Sequence, residues 1–281
     1  HVACGKCGGQ ASRIPDVGNP WLDAGIVSFS TLGYRHDKEY WQKWFPADFI
    51  TESFPGQFRN WFYSLLVMST VLENTEPFRA VLGYAMLRDE TGREMHKSWG
   101  NAIEFDEAAE RMGVDVMRWL YMSARPDDNI LFGWHAADEA RRRLLVLWNV
   151  YAFFATYARL AGWEARGAHV VPGARTPMDR WILSRAAGAA AEAGERLSDY
   201  DALGATRAID AFVEDLSTWY LRLSRKRFSR NPSAADRDAA FATLHEALLV
   251  VARMAAPIIP FLTDEIWSNL AGEQDGRLDR K

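Results

Sequence analysis

From Phe105 to the end of the chain the apolar residues recur at helical spacing, and this constrains the fold more than any other feature. Ile209, Phe212, Val213, Leu216, Tyr220 and Leu223 advance by threes and fours, which places them on one helix face. Leu244, Leu248, Val251 and Ala255 repeat the pattern, and Pro257 and Pro260 interrupt it before a last helix through Trp267. Earlier, Asp106 precedes a helix through Met112, Gly113 ends it, and Asp115 is placed to cap the next. Ala136 to Leu160 reads as one long helix, and the Gly/Pro-containing segment from Gly167 to Thr176 as a linker before three or four more. Several amphipathic helices in sequence with short connections form a bundle.

The first third reads differently. Its opening 35 residues are rich in Gly, Pro and turn dipeptides. Trp61 to Leu72 is an apolar run of helix length, Phe78 to Leu87 is β-prone, and Asp89, Glu90, Thr91 and Gly92 supply a turn. The fold expected is therefore α/β followed by all-α. With 281 residues, 48% of them hydrophobic, the chain can bury a full core in one large domain or two modest ones.

Net charge is −4, so any face for nucleic acid has to be a local one. Leu144 to Ala158 is interrupted by Asn149 and falls short of the roughly 18 to 20 residues of a bilayer span, so it reads as a buried helix and no membrane partner is expected. The chain opens on His1 and Val2 without a basic-then-apolar leader, and the missing initiator Met suggests a piece of a longer protein. Two cysteines two residues apart cannot staple a fold, which points to a reduced, cytoplasmic setting.

Chemistry concentrates in Gly92-Arg93-Glu94-Met95-His96-Lys97-Ser98-Trp99-Gly100-Asn101, after a predicted strand and turn and before a helix. A mobile loop bearing Lys and Ser can close over a polyphosphate, its ammonium neutralising charge that develops at the attacked phosphorus. By itself the tetrapeptide is compatible with a solvated surface turn.

The surrounding residues are more specific. Pro46-Ala47-Asp48-Phe49-Ile50 through Glu52, then Gln57-Phe58-Arg59-Asn60-Trp61-Phe62-Tyr63, resembles the run PADF-E-GQTRGWFY of isoleucyl-type class I aminoacyl-tRNA synthetases. Asp16-Val17 with Trp21-Leu22-Asp23-Ala24-Gly25 resembles their DVWFDSG element, and the 92–101 stretch their KMSKS loop. Met178 to Arg185 resembles the opening of the family's anticodon-binding bundle; Trp219 to Phe228 resembles WYVRRSRRRF. Ala256-Pro257 and Pro260-Phe261-Leu262 complete an order that covers nearly the whole chain.

The resemblance implies the second half of a nucleotide-binding, Rossmann-type catalytic domain followed by a helical anticodon-binding bundle. It divides the chain into 1–30, the remnant of an inserted, zinc-knuckle region; 31–125, the catalytic half with the loop; 126–170, connecting stem-contact helices; and 171–281, the bundle. It implies Lys97 and Ser98, with Met95 and His96 beside them, as the catalytic loop. Trp21 and Trp61 would flank the aliphatic side chain of isoleucine, and Glu52 and Gln57 would hold polar parts of the adenylate. The implied substrates are isoleucine, ATP with Mg²⁺, and tRNA, handled by a monomer.

Departures accompany the match. Glu94 stands where the loop's first lysine is usual and His96 where its first serine is, so an anion replaces a cation beside a triphosphate site. The Glu52–Trp61 segment carries one extra residue, and Asn60 replaces the usual Gly. None of the six histidines has HxGH spacing, so the ATP-binding signature and the editing insertion are expected outside this chain, which alone is expected to be inactive.

Cys4-Gly5-Lys6-Cys7-Gly8-Gly9 is half a zinc knuckle: tetrahedral Zn²⁺ needs four ligands, and in the family a partner pair lies upstream. Arg222, Arg225, Lys226, Arg227 and Arg230, with no acidic residue between Leu216 and Ala235, make a basic ridge suited to tRNA phosphates. Arg141, Arg142 and Arg143 are a weaker second candidate. Tyr220 is expected in the core, and Trp219 either there or as a stacking platform. Two rival readings stand beside isoleucine: a valyl-type enzyme, suggested by Phe29-Ser30-Thr31-Leu32-Gly33, and a non-catalytic tRNA-binding module, suggested by Glu94.

Overall fold

The computed structural model describes residues 2–12, 18–165, 175–229 and 233–275. The chain divides into two compact units, His1–Met86 and Leu87–Lys281.

The first unit opens with a two-stranded antiparallel hairpin, β1 (Val2–Ala3) and β2 (Gln10–Ala11). Three short helices follow, α1 (Pro20–Gly25), α2 (Val27–Ser30) and α3 (Lys38–Trp44). The side chain of Asn19 caps α1 by accepting from the amides of Trp21 and Leu22, and Asp37 caps α3 at Tyr40. Phe29, Trp41 and Phe45 pack together as a small aromatic core. Next come β3 (Ala47–Ser53), α4 (Phe54–Gln57), α5 (Trp61–Glu73) and β4 (Phe78–Tyr84). β3 and β4 pair in parallel, Ala47 opposite Phe78 through Ser53 opposite Tyr84, with α4 and α5 as the crossover. α1 packs against α5 at Gly25, where a Cβ would lie 2.6 Å from the Cβ of Ser64. The crossing is so close that only glycine fits.

The second unit begins with β5 (Leu87–Arg88), which pairs in parallel with β6 (Ile130–Leu131). Between them lie α6 (Phe105–Met112) and α7 (Val114–Met122), separated by Gly113 at φ 92°. Asp115 does not cap α7 as its position suggested. Its carboxylate accepts from the backbone amides of Phe261 (3.4 Å) and Leu262 (2.6 Å), so it caps a helix 146 residues away.

The rest is the bundle: α8 (Trp134–Ala161), α9 (Pro177–Ser198), α10 (Ala202–Glu214), α11 (Arg222–Ser229), α12 (Ala234–Ala255) and α13 (Pro260–Asp275). α8 has the length and hydropathy of a membrane span, yet it buries Leu144, Leu147, Val150, Phe154 and Ala158 in the bundle core. Most of the expected 167–176 linker lies outside the described residues; Thr176 and Asp179 form a reciprocal capping box that opens α9.

α10 and α11 are one continuous rod joined by a π-helical segment, Asp215–Leu221. Ile209, Phe212, Val213, Leu216 and Tyr220 share the buried face, as their spacing predicted. Leu223 does not: it is 53% exposed, whereas Ser224 and Phe228 are buried. The wider π turn takes in about one extra residue, so a strict 3.6-residue count loses register across it. The face turned inward thereafter carries Ser224, Arg227 and Phe228.

Candidate functional site

The loop expected to carry chemistry is held by its own backbone and one asparagine. Asp89 opens a tight turn: Gly92 N–H donates to Asp89 C=O at 2.9 Å, with Gly92 at φ 84°. The Asp89 carboxylate accepts from Asn101 Nδ2 (2.8 Å), Thr91 Oγ1 (2.7 Å) and the amides of Thr91 and Arg93 (3.0 and 2.9 Å). These bonds, that from Asn101 above all, hold its pKa well below the usual carboxylate range. Asn101 also donates to Glu94 C=O (2.8 Å) and accepts from His96 N–H (3.0 Å). One side chain thus ties both ends of the 94–101 loop to its base.

Lys97, Ser98 and Trp99 form a single 3₁₀ turn that Gly100 terminates at φ 70°. Lys97 stands 82% exposed, its ammonium 3.0 Å from Glu104. Ser98 is exposed beside it. Met95 and His96, placed by their motif positions in the catalytic set, have structural partners. Met95 packs against the second unit's hydrophobic core, and the His96 ring lies edge-on to Trp99 at 4.2 Å. Glu94 is engaged with Arg88 (3.6 Å) and His96 (3.4 Å).

The residues expected to hold the amino acid and its adenylate lie in the first unit. Trp61 starts α5, and its indole N–H donates to Ala24 C=O in α1 (3.2 Å), beside the half-exposed Trp21. Gln57 Oε1 accepts from the Trp61 amide at 3.3 Å. Glu52 is the next-to-last residue of β3, its carboxylate accepting from Ser53 N–H and Tyr84 O–H, both at 2.8 Å. The Ser53 amide first and then the Tyr84 hydroxyl lower its pKa, so it is an anion at neutral pH. Tyr84 carried no motif signal; the parallel register, which sets Ser53 opposite it, is what brings it in.

The Cys4–Cys7 turn closes through Gly8 N–H to Cys4 C=O (2.9 Å) and Cys4 N–H to Gly9 C=O (2.8 Å). Backbone donors from Lys6 and Cys7 lower the Cys4 thiol's pKa. Among the described residues no group of three or more His, Cys, Asp or Glu is gathered as a metal site.

The basic ridge divides in two. Arg222, Arg225 and Lys226 are exposed, with the Arg225 guanidinium 5.7 Å from the Phe153 ring. Arg230 lies outside the described residues. Arg227 belongs to the interior, which corrects its place in the ridge: 15% exposed, it makes two hydrogen bonds to Asp179 (2.7 and 2.9 Å) and two to Asp236, at its carboxylate (2.8 Å) and its carbonyl (3.2 Å). Tyr220 O–H donates to the same Asp179 at 2.8 Å. Burial alone would raise the pKa of Asp179; the bonds from Arg227, Tyr220 and Thr176 outweigh it and leave the group depressed. The three arginines at 141–143 are also partly committed, Arg141 to Asp138 and to the carbonyls ending α6, Arg143 to Asp210.

Comparisons with known proteins match the chain in two segments. Residues 3–132 match the family model described as tRNA synthetases class I (I, L, M and V), and residues 179–279 that of the anticodon-binding domain of tRNA ligase. The isoleucine–tRNA ligase of Thermus thermophilus is 41% identical over 96% of this chain, and that of Methanothrix thermoacetophila 39% over 94%. The chain spans about a quarter of these relatives, 26% and 25% of their lengths. In fold it is similar to an Agrobacterium radiobacter LeuRS solved in a ternary complex with tRNA (TM-score 0.69, 19% identity, 96% of this chain and 33% of that one). Mycobacterium tuberculosis methionyl-tRNA synthetase with methionyl-adenylate is similar too (TM-score 0.69, 18% identity, 88% and 48%). A parallel βαβ pair, a braced Lys-Ser loop and a helical bundle in this order, matched by both models and by relatives over nearly its full length, place the chain in the class I aminoacyl-tRNA synthetases.

Proposed function

We propose that this chain is the part of an isoleucine–tRNA ligase that carries the KMSKS-like loop, part of the amino-acid pocket and the tRNA-binding bundle. The observation that carries the reading is its 41% identity to an isoleucine–tRNA ligase across 96% of its length. The parallel pair with its helical crossover supports the reading of the first third as half of a Rossmann-type domain. The longer protein would use ATP with Mg²⁺ to make isoleucyl-adenylate and pass the acyl group to tRNA, as a cytoplasmic monomer. Catalysis there is chiefly positioning and charge stabilisation.

In this scheme Lys97 supplies the cation. Its exposed ammonium, on a turn whose backbone Asn101 fixes, leaves Glu104 and meets the phosphate oxygens as negative charge grows on them. Ser98 is the adjoining polar contact. Trp21 and Trp61 offer apolar surface to a branched aliphatic side chain, and the anionic Glu52 and Gln57 offer acceptors to polar parts of the adenylate. Cys4 and Cys7 fit half of a tetrahedral zinc site, because the backbone already favours the Cys4 thiolate; zinc there would tie the turn to a second cysteine pair elsewhere in the longer protein.

The test is ATP–pyrophosphate exchange with isoleucine in the full-length enzyme. Lys97→Ala should lower the rate by about 10²-fold or more, the scale of one lost transition-state charge contact. An unchanged rate would remove Lys97 from the mechanism. Exchange stimulated by valine in preference to isoleucine would favour the valyl rival. The 281-residue chain alone should bind tRNA without supporting exchange.

A further inference from the structure

Asp89 gathers the 94–101 loop, and the residue beside it holds a different element. Glu90 Oε1 accepts from the backbone N–H of His135, in the first turn of α8, at 2.7 Å. α8 needs such an acceptor. Its N-cap is Gly133, which has no side chain to offer, and its first turn carries no acidic residue. Glu90 supplies from 45 residues upstream what the local sequence omits: an oxygen for an orphan amide, and a carboxylate at the positive end of a 28-residue helix.

The approach is close enough to decide which residue can precede α8. Gly133 is buried, and a Cβ there would overlap Cγ and Cδ of Glu90 and lie 2.7 Å from its Oε1. Its φ of 176° is extended backbone that any residue adopts, so the packing of Glu90 is what calls for glycine. The main chain is joined here as well. Phe132 N–H donates to Arg88 C=O at 2.8 Å, which carries the β5–β6 pairing up to the start of α8. The strand that enters the loop and the turn at its base are thus both fastened to one helix. Only one peptide unit separates Glu90 from the Asp89 carboxylate that holds Thr91, Arg93 and Asn101, so a shift at Glu90 moves the base of the whole loop.

We propose that Glu90 is a positioning residue for the Lys97 loop: seated between Gly133 and the first turn of α8, it sets where Asp89, and with it Lys97, stands. The proposal rests on the reading of Lys97 as the cation that meets ATP phosphates, and adds to it the residue that aims that cation.

The test is ATP–pyrophosphate exchange with isoleucine in the full-length enzyme, with kcat and the KM for isoleucine read separately. Glu90→Ala should lower kcat roughly tenfold, short of the 10²-fold that a misplacement of about 1 Å can cost. The KM for isoleucine should stay unchanged, because Trp21, Glu52, Gln57 and Trp61 belong to the first unit. Glu90→Gln keeps an oxygen acceptor and should retain most of kcat. Gly133→Ala, whose methyl displaces the Glu90 side chain, should reproduce the Glu90→Ala loss. The two combined should do no worse than Glu90→Ala alone, since truncating Glu90 vacates the space that the methyl enters. Wild-type kcat in Glu90→Ala, with Lys97→Ala still impaired, would overturn the positioning role and leave the Lys97 reading intact. So would additive losses in the double variant, or an isoleucine KM that rises as kcat falls. An unchanged rate in Lys97→Ala would overturn both.

Discussion

Two carboxylates, Asp89 and Asp179, organise two parts of the second unit by the same chemistry and with different results. Each accepts several hydrogen bonds, and each has its pKa pushed down by them. Asp89 sits at the base of a surface loop and binds its near neighbours, Thr91, Arg93 and Asn101. Asp179 is 0% exposed and joins three helical segments, through Thr176, Tyr220 and Arg227. Thr91 and Arg93, partners of the first, are exposed to water, whereas among the partners of the second Tyr220 is fully buried and Arg227 only 15% exposed. The first network therefore shapes a loop that can still open, whereas the second fixes how the bundle closes.

Removing one partner from each network is the most direct way to break this comparison. Arg227→Ala leaves a buried carboxylate without its cation and should destabilise the bundle by roughly 3–5 kcal/mol, read as a lower denaturation midpoint. A change near zero would mean that Arg227 behaves as a solvated surface residue after all. It also follows that an Arg225→Ala, Arg227→Ala double variant is no clean test of RNA contact, because half of it damages the fold.

Acid should act next most strongly. A carboxylate whose folded pKa lies below its unfolded value of about 3.9 stabilises the fold above that pH and loses its contribution as pH falls further. Wild-type stability should therefore decline below about pH 4, by at most about 1.4 kcal/mol per pH unit from Asp179. In Arg227→Ala the decline should be shallower, because the cation that depresses Asp179 is gone. Equal slopes in chemical denaturation series would show that Arg227 does not set the Asp179 pKa.

The smallest effect is expected at the loop. Asn101→Ala should leave the melting temperature nearly in place and accelerate hydrogen exchange across 94–101, by about fivefold for each hydrogen bond lost. Unaltered exchange at His96, whose amide Asn101 accepts, would show that the loop is held by other means.

The helices were legible in sequence because their apolar periodicity is long and redundant. The 244–255 face is buried as read, and the Asp89–Gly92 turn forms where Gly permits a positive φ. What escaped was whatever depends on register or on remote contact. Leu223 was misplaced because one wide turn resets the helical count without marking the sequence, and Arg227 because nothing near it announces its buried partner, Asp179. Asp115 was read as a local cap because nothing within a few residues announces the helix start it serves, at Phe261 and Leu262. Lys97 and Ser98 stand on an exposed turn where the motif indicates a loop; that Asn101 is the brace was not legible, since its three partners are specified by folding of the loop.

The π segment has a consequence for how this rod can change over evolutionary time. About 100° of rotation separates successive residues of an α-helix, so gaining or losing one residue normally scrambles every contact downstream. A rod that already carries a wide turn can lose one residue there and relax into ordinary α geometry without that rotation, because its flanks keep their facing. Asp215–Leu221 is therefore the stretch of this rod where insertions and deletions among relatives should collect, and where a change of length would alter the exposed face at Trp219 while sparing Phe212 on one side and Arg227 on the other.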